Sequence, residues 1–378
     1  MNKDLEGIQV ITLEQAVAAP YASGKLAQAG ARVIKIEREE GDFARRYDSD
    51  VNGLSAYFVW LNHGKESVCL NIKDAEDLLI LKNIISKSDI FIQNLMPGAT
   101  NRLGISSKSL REKYPSLITC DISGYGQDGP YSKMKAYDLL IQAESGLANI
   151  NGSSQEPGRV GVSVCDIAAG MTAFQAILQA LIGRNKTGLG RGIEVSLFHS
   201  LSDWMNVPYL QTVYGKRKVK RAGLHHATIA PYGVYKCKQD ELILISIQNE
   251  REWSSLCSLV LEKADLIKND NFSNNSNRVS NRNSLDQIIN DVFGSMSRKD
   301  IIKRLQDADI AYGQLSTIED LNKHPQSNFI SVQTSEGEIS LLSPGAVING
   351  EEVTFGKVPF LGEHTNKIKN EYKNLKND

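Results

Sequence analysis

The alternation of short apolar strands with helical crossovers is what most constrains the fold of this chain. Ile8-Gln9-Val10-Ile11-Thr12-Leu13 is rich in β-branched residues and leads through a loop to Pro20. A helical stretch from Tyr21 to Gln28 follows, closed by Gly30. Arg32-Val33-Ile34-Lys35-Ile36 is the next strand, ending at Glu37. Two parallel strands need a long connection, whereas an antiparallel pair can be joined by a tight turn. Strand–helix–strand order therefore predicts a parallel sheet. The pattern recurs: a helix around Glu76–Ser86 precedes Ile90-Phe91-Ile92, and another short helix precedes Leu117–Ile122. The expectation is one α/β domain over residues 1–203.

The character changes near Trp204. The basic run Lys216-Arg217-Lys218-Val219-Lys220-Arg221 leads into Tyr232–Tyr235 and Leu242–Ile245, which read as a hairpin turning near Lys238-Gln239-Asp240. Helices are expected over Glu252–Leu261, Leu285–Phe293 and Arg298–Asp307. Seven of the fifteen residues from Asn269 to Asn283 are Asn, and the segment reads as a polar loop. Strands and turns return over Ser331–Pro359, and the Lys-rich end, 366–378, reads as a frayed tail.

Charge narrows the function classes. Lys and Arg number 43 against 44 Asp and Glu, and a net charge of −1 lacks the excess of cations that bulk nucleic-acid or anionic-membrane binding needs. No run approaches the roughly 18 consecutive apolar residues of a membrane span. The five cysteines (Cys69, Cys120, Cys165, Cys237, Cys257) are odd in number and contain no C-x-x-C pair, so they fit neither a disulfide framework nor a zinc site. The first twenty residues carry Asp4, Glu6 and Glu14 and read as mature protein, with a reducing cytoplasm as the expected setting.

Several chemistries find no support. A dinucleotide-binding turn needs G-x-G-x-x-G so that the backbone can approach a pyrophosphate, yet Glu14-Gln15-Ala16-Val17-Ala18-Ala19-Pro20 occupies that place without a glycine. Gly188-Leu189-Gly190-Arg191-Gly192 follows a helix and precedes a strand, which makes it a turn. No phosphate-binding loop of the G-x-x-x-x-G-K-[ST] type and no G-x-S-x-G elbow occurs. None of the six histidines has metal-ligand spacing on a helix, and the adjacent His225 and His226 suit a loop better than a shared metal.

Other residues suggest a grip on an extended polyanion. Asn94-Leu95-Met96-Pro97-Gly98 stands just past a strand, at the edge where open α/β sheets bind ligands. Arg38 and Lys73 also fall at or beyond strand ends, and Arg102 lies eight residues past Asn94. Asp166 directly precedes an apolar-periodic helix with Ile167, Phe174, Ile177, Leu178 and Leu181 near one face. It reads first as an N-cap, a role that can coincide with that of a nucleophile, because a helix N-terminus favours an ionised carboxylate.

These residues sit within a longer resemblance. Gly30-Ala31-Arg32-Val33-Ile34-Lys35-Ile36-Glu37-Arg38 with Gly41-Asp42, Asn62-His63-Gly64-Lys65-Glu66-Ser67, and Ser123-Gly124-Tyr125-Gly126-Gln127-Asp128-Gly129-Pro130 are three of its blocks. Tyr137-Asp138-Leu139, Asp166-Ile167 with Gly170, Glu194-Val195-Ser196-Leu197, and Val358-Pro359-Phe360-Leu361-Gly362-Glu363-His364-Thr365 continue it. Over nearly its whole length the chain resembles the class III CoA-transferases, the CaiB/BaiF family typified by formyl-CoA and carnitine CoA-transferases.

The resemblance implies an interlocked homodimer. It implies a Rossmann-like large domain from residues 1–203 and 326–378, with a smaller α+β domain from residues 204–325. Asp166 matches the family's catalytic aspartate. Ala16, Val17, Arg38, Leu70, Asn71, Lys73, Asn94, Arg102, Lys135 and Tyr137 match its CoA-contacting positions. Coenzyme A enters as substrate, and neither a permanently bound cofactor nor a metal is expected. The implied chemistry exchanges CoA between an acyl-CoA and a free carboxylic acid through an anhydride and an aspartyl-CoA thioester on Asp166.

Related racemases place a His where Tyr137 stands, and an ordinary tyrosine is a poor base near neutrality. Racemisation is therefore the weaker alternative, beside a member that binds acyl-CoA without catalysis. The Leu13–Pro20 segment, and Ile229–Gly233 with Ile247–Trp253, look like a subgroup acting on short dicarboxylic acids such as mesaconate, itaconate, citramalate or succinate. Arg159, Arg221, His225 and His226 are candidates to pair with the second carboxylate.

Overall fold

A computed structural model describes residues 3–348 and 355–373. Contacts divide the chain into two compact units. One holds Met1–Leu147, Arg159–Leu210 and Asn328–Asp378, and the other holds Ala148–Gly158 and Gln211–Ser327.

The first unit is built on six strands: β1 (Gln9–Leu13), β2 (Arg32–Glu37), β3 (Lys65–Cys69), β4 (Ile90–Gln93), β5 (Ile118–Ser123) and β6 (Gly192–Ser196). They lie in the order β3-β2-β1-β4-β5-β6, and every pairing is parallel. The parallel α/β reading of the sequence is correct. β3 has no apolar run to announce it, and the sequence reading omits it.

Side-chain alternation splits the core into two layers, because neighbouring strand residues point to opposite faces. Val10, Val33, Ile90, Ile92, Ile118 and Cys120 pack with the helices Ala18–Gln28 and Val164–Thr187. Ile11, Ile34, Ile36 and Phe91 face the other way, with Ile80 and Ile84 of the helix Ala75–Ser86. The 24-residue helix Val164–Thr187 is long and apolar enough to cross a membrane. Cys165, Ala169, Ala173, Ile177 and Leu181 account for much of that apolarity, since they form part of the first core layer.

The Lys-rich end corrects the expectation of a frayed tail. Thr365–Tyr372 is a helix whose Ile368 and Tyr372 are buried in the second core layer. The Tyr372 hydroxyl donates to Gln9 Oε1 at 2.8 Å, and Glu371 pairs with Arg32 at 2.6 Å. Residues 374–378 lie outside the described part.

The second unit holds β7 (Tyr232–Lys236) and β8 (Leu242–Ser246), an antiparallel hairpin turning through Lys238–Asp240 as expected, with β9 (Ala311–Gly313) beside β8. Trp253, Leu285, Ile289, Phe293, Ile301 and Leu305 form its core. The Asn-rich segment is not simply a loop. It contains the helix Asn275–Ser280, capped by the Asn274 side chain on the Asn277 N–H. It also carries Arg278, which is buried, paired with Glu250 at 2.8 Å and seated over the Trp253 ring.

Candidate active site

Crossovers leave β1 for β2 on one side and reach β4 on the other, so the β1–β4 boundary is the point where the strand order reverses. Open α/β sheets bind ligands in the crevice outside the strand ends at such a point. The loop after β1 and the residue after β4 are locked together there. The Gln15 N–H donates to Asn94 Oδ1 at 3.0 Å, and Asn94 Nδ2 donates to the Gln15 carbonyl at 2.8 Å. Ala16 follows in the left-handed region, with φ of 65°.

A buried ionic frame holds that turn. The Ala16 N–H donates to Asp42 Oδ1 at 3.1 Å, and Lys35 Nζ donates to Asp42 Oδ2 at 2.9 Å. Lys65 Nζ donates to Glu14 Oε1 at 2.8 Å, and the Ser23 hydroxyl donates to Glu14 Oε2 at 2.6 Å. The side chains of Glu14, Lys35, Asp42 and Lys65 are buried. Burial opposes the charge on Glu14, but Lys65 and then Lys35 hold its carboxyl below the ordinary carboxylate range. Burial also brings Lys65 down to about 8, against the pull of Glu14. Beside this frame, Arg45 grips Glu37 through two bonds of 2.8 and 2.7 Å.

Close helix packing then brings in Asp166. A Cβ on Gly170 would stand 2.7 Å from the Ala18 carbonyl oxygen and 2.9 Å from Tyr21 Cβ, so only glycine allows the helices Val164–Thr187 and Ala18–Gln28 to come this near. Asp166 is one turn earlier on the same face, since residues four apart are neighbours along a helix. The helix begins at Val164, so Asp166 lies in its first turn rather than at the N-cap, a place taken by Ser163. A neighbouring element does the capping: Asp138 Oδ1 accepts the Cys165 N–H at 2.8 Å.

A cavity of about 620 Å³ opens at this place, within the range of small-molecule sites. Its lining contains Ala16, Val17, Asn94, Lys135, Tyr137 and Asp166 from the residues singled out in the sequence. Arg38, Leu70, Asn71, Lys73 and Arg102 do not line it. Leu70 is buried, whereas Arg38, Asn71, Lys73 and Arg102 are exposed. All five follow the carboxyl ends of β2, β3 or β4. That edge runs from β3 to β5 across four strand spacings, about 19 Å, so an extended ligand could lie along it.

Among the described residues, two carboxylates line the cavity, Asp138 and Asp166. Both oxygens of Asp138 are engaged, one by Cys165 and the other by Gln142 Nε2 at 2.8 Å. Asp166 has no hydrogen-bond partner among the described residues. Loss of hydration, followed by the Asp138 charge, pushes its carboxyl up to about 7. Burial, then Asp42 and Asp166, push the Tyr47 phenol across the cavity wall up to about 12, so it remains a donor. Sequence reasoning missed the ionic frame. Its only signals were acids just past strands and lysines within or at the start of strands, which by pattern alone look like solvated charges.

Comparison with known proteins places the chain in a family. Residues 5–365 match the model of CoA-transferase family III. The chain is 31% identical over 375 residues to a human succinyl-CoA:glutarate CoA-transferase, covering 97% of this chain and 85% of that protein. It is 31% identical to an acetyl-CoA:oxalate CoA-transferase of Acetobacter aceti, covering 91% of this chain and 89% of that one. A CaiB/BaiF family protein from Brucella suis shares the fold with a TM-score of 0.85 at 29% identity, covering 98% of this chain and all of that structure. With a parallel sheet, a reversal-point cavity and a match of this extent, the chain belongs to CoA-transferase family III.

Proposed function

We propose that this enzyme moves CoA between a short dicarboxylic acyl thioester and a free carboxylic acid, with Asp166 as the nucleophile. One observation carries the assignment. Of the two carboxylates lining the cavity, Asp166 alone has no hydrogen-bond partner among the described residues. A partly buried carboxylate with no donor on it is a more reactive nucleophile than one already held by two donors.

In the first step an Asp166 oxygen attacks the acyl carbonyl, the C–S bond breaks, and CoA leaves as a thiolate with a mixed anhydride behind it. The thiolate then attacks the aspartyl carbonyl and expels the donor acid as a carboxylate, leaving Asp166 as a CoA thioester. The acceptor carboxylate reverses both steps, so thioester free energy is conserved. Each addition creates an oxyanion, and backbone N–H groups at the start of the Ala18–Gln28 helix are suited to receive it. Arg38, Lys73 and Arg102 are assigned to the phosphates of CoA along the strand-end edge, with Leu70 and Asn71 beside them.

The glutarate, malate and oxalate specificities named for relatives support a dicarboxylic substrate. We also assign the exposed apolar residues Trp204, Val207, Tyr209 and Leu210 to a homodimer interface, because large apolar side chains this close in sequence are candidates for burial against a partner.

The test is intact-protein mass spectrometry after mixing with succinyl-CoA. The expected result is a CoA-sized adduct that maps to Asp166 and is discharged by an added acid. No adduct with any short acyl-CoA, together with deuterium uptake at the α-carbon of a branched acyl-CoA, would replace this reading with a racemase.

A further inference from the structure

Within the proposed reaction, the second carboxylate of a diacid must leave water beside two carboxylates already in the cavity. A buried unpaired charge is costly, so the site needs a cation held in place. Among the described residues, three cations border the cavity: Lys133, Lys135 and Arg159. Lys133 and Lys135 lie on the exposed stretch before Tyr137, and neither makes a side-chain hydrogen bond among the described residues.

Arg159 is exposed as well, and it differs only in how it is held. Its Nε donates to the Val160 carbonyl at 3.2 Å and its Nη2 to the Gly161 carbonyl at 3.1 Å. A guanidinium has five N–H donors, so these two bonds fix its plane while leaving three N–H groups for a ligand. The backbone beneath it is riveted as well. The buried Gln142 accepts the Val160 N–H at 2.8 Å, donates to the Val160 carbonyl at 3.3 Å, and donates to Asp138 at 2.8 Å. Asp138 in turn caps the Cys165 N–H. Arg159 and Asp166 therefore hang from one rigid hydrogen-bonded framework, Arg159–Val160–Gln142–Asp138–Cys165. Positioning of this kind is what bidentate carboxylate recognition requires.

We infer that Arg159 is the specificity residue for the distal carboxylate of a short dicarboxylic acyl group, held in register with Asp166 by Gln142 and Asp138. This rests on the CoA-transfer reading, and it predicts a discrimination that CoA transfer alone does not. Succinyl and butyryl groups have the same number of carbons and differ by a carboxylate in place of a methyl.

The experiment measures the rate of the Asp166–CoA adduct from succinyl-CoA and from butyryl-CoA, by intact mass, in wild type, Arg159→Met and Arg159→Lys. Wild type is expected to prefer succinyl-CoA. Arg159→Met should lower the succinyl-to-butyryl ratio by about 10- to 100-fold, the usual worth of a charge-assisted pair. Arg159→Lys should fall between, because it keeps the charge and loses the fork. Equal losses with both thioesters, or an unchanged ratio, would overturn the role of Arg159 while leaving CoA transfer standing. The same ratio falling in Lys133→Met or Lys135→Met, with Arg159→Met unaffected, would move the role to that lysine. Absence of any adduct in wild type would remove both this inference and the transfer reading.

Discussion

The backbone N–H of Ala16, a non-glycine residue at φ 65°, donates to Asp42 Oδ1 while Asp42 Oδ2 takes the buried Lys35 ammonium at 2.9 Å. A left-handed alanine costs about 1–2 kcal/mol, and such strain persists only where surrounding structure enforces it. Here the enforcing structure is charged, dry and located beneath the cavity wall.

Asp42→Asn should therefore damage both stability and turnover. It strands part of the Lys35 charge and should cost about 2–4 kcal/mol in a denaturant titration. Ala16→Gly is the counterpart. It fits φ 65° without strain and should stay within about 1 kcal/mol of wild type. Equal tolerance of both substitutions would show that the frame does not hold the turn.

The pH profile follows from Asp166. With its carboxyl at about 7, the nucleophilic form gains population as pH rises from 6 to 8, so kcat/KM for acyl-CoA should rise over that interval and level off above it. Asp138→Asn keeps an acceptor for the Cys165 N–H and removes the second cause of the shift. The midpoint should move down yet stay above that of an ordinary aspartate, since burial is the larger cause. A midpoint unmoved in Asp138→Asn would remove the electrostatic link between the two acids.

The same shift sets a stability window. Below about pH 4 the Asp166 carboxyl is protonated in both folded and unfolded chains and costs nothing. Between pH 4 and 7 the unfolded chain ionises first, so the penalty grows, and it is complete above pH 7. Asp166→Asn removes that penalty. The variant should gain about 2–4 kcal/mol at pH 8, less the fraction of a kcal/mol that a first-turn acid contributes, and almost nothing at pH 4. It should also form no CoA adduct. Thermal melts at the two pH values check the first claim, and mass spectrometry checks the second.

How much of this was legible beforehand depended on whether apolar pattern or charge carried the structure. β1, β2, β4 and β5 announce themselves by β-branched residues, because both faces of the sheet are covered. β3 does not: Lys65-Glu66-Ser67-Val68-Cys69 reads as polar, yet Lys65 is buried on Glu14. A buried ion pair looks like two surface charges until the fold brings its halves together, here from positions 51 residues apart. The tail misled for a related reason. Ile368 and Tyr372 are four residues apart amid lysines, and too few apolar residues mark the buried stripe of that helix. Asp166 was found by resemblance and by its helix. That it lies past the N-cap, with capping done by Asp138 from another element, could not be read locally.

Gly170 sets the distance between the two helices that flank the site. An added methyl would meet the Ala18 carbonyl oxygen at 2.7 Å, and that oxygen belongs to backbone that cannot rotate away. The helices must part. Asp166, one turn earlier on the same face, is then displaced from Val17 and the strand-end loop. Overpacking of this kind costs about 1–3 kcal/mol, and a misplacement near 1 Å at a reacting group costs on the order of 100-fold in rate. Gly313→Ala is the control, since nothing lies within 4 Å of the Cβ it would add. Gly170→Ala should thus lose both melting temperature and kcat while Gly313→Ala keeps both. A Gly170→Ala enzyme that melted lower yet turned over normally would show that the helix contact supports the fold without positioning Asp166.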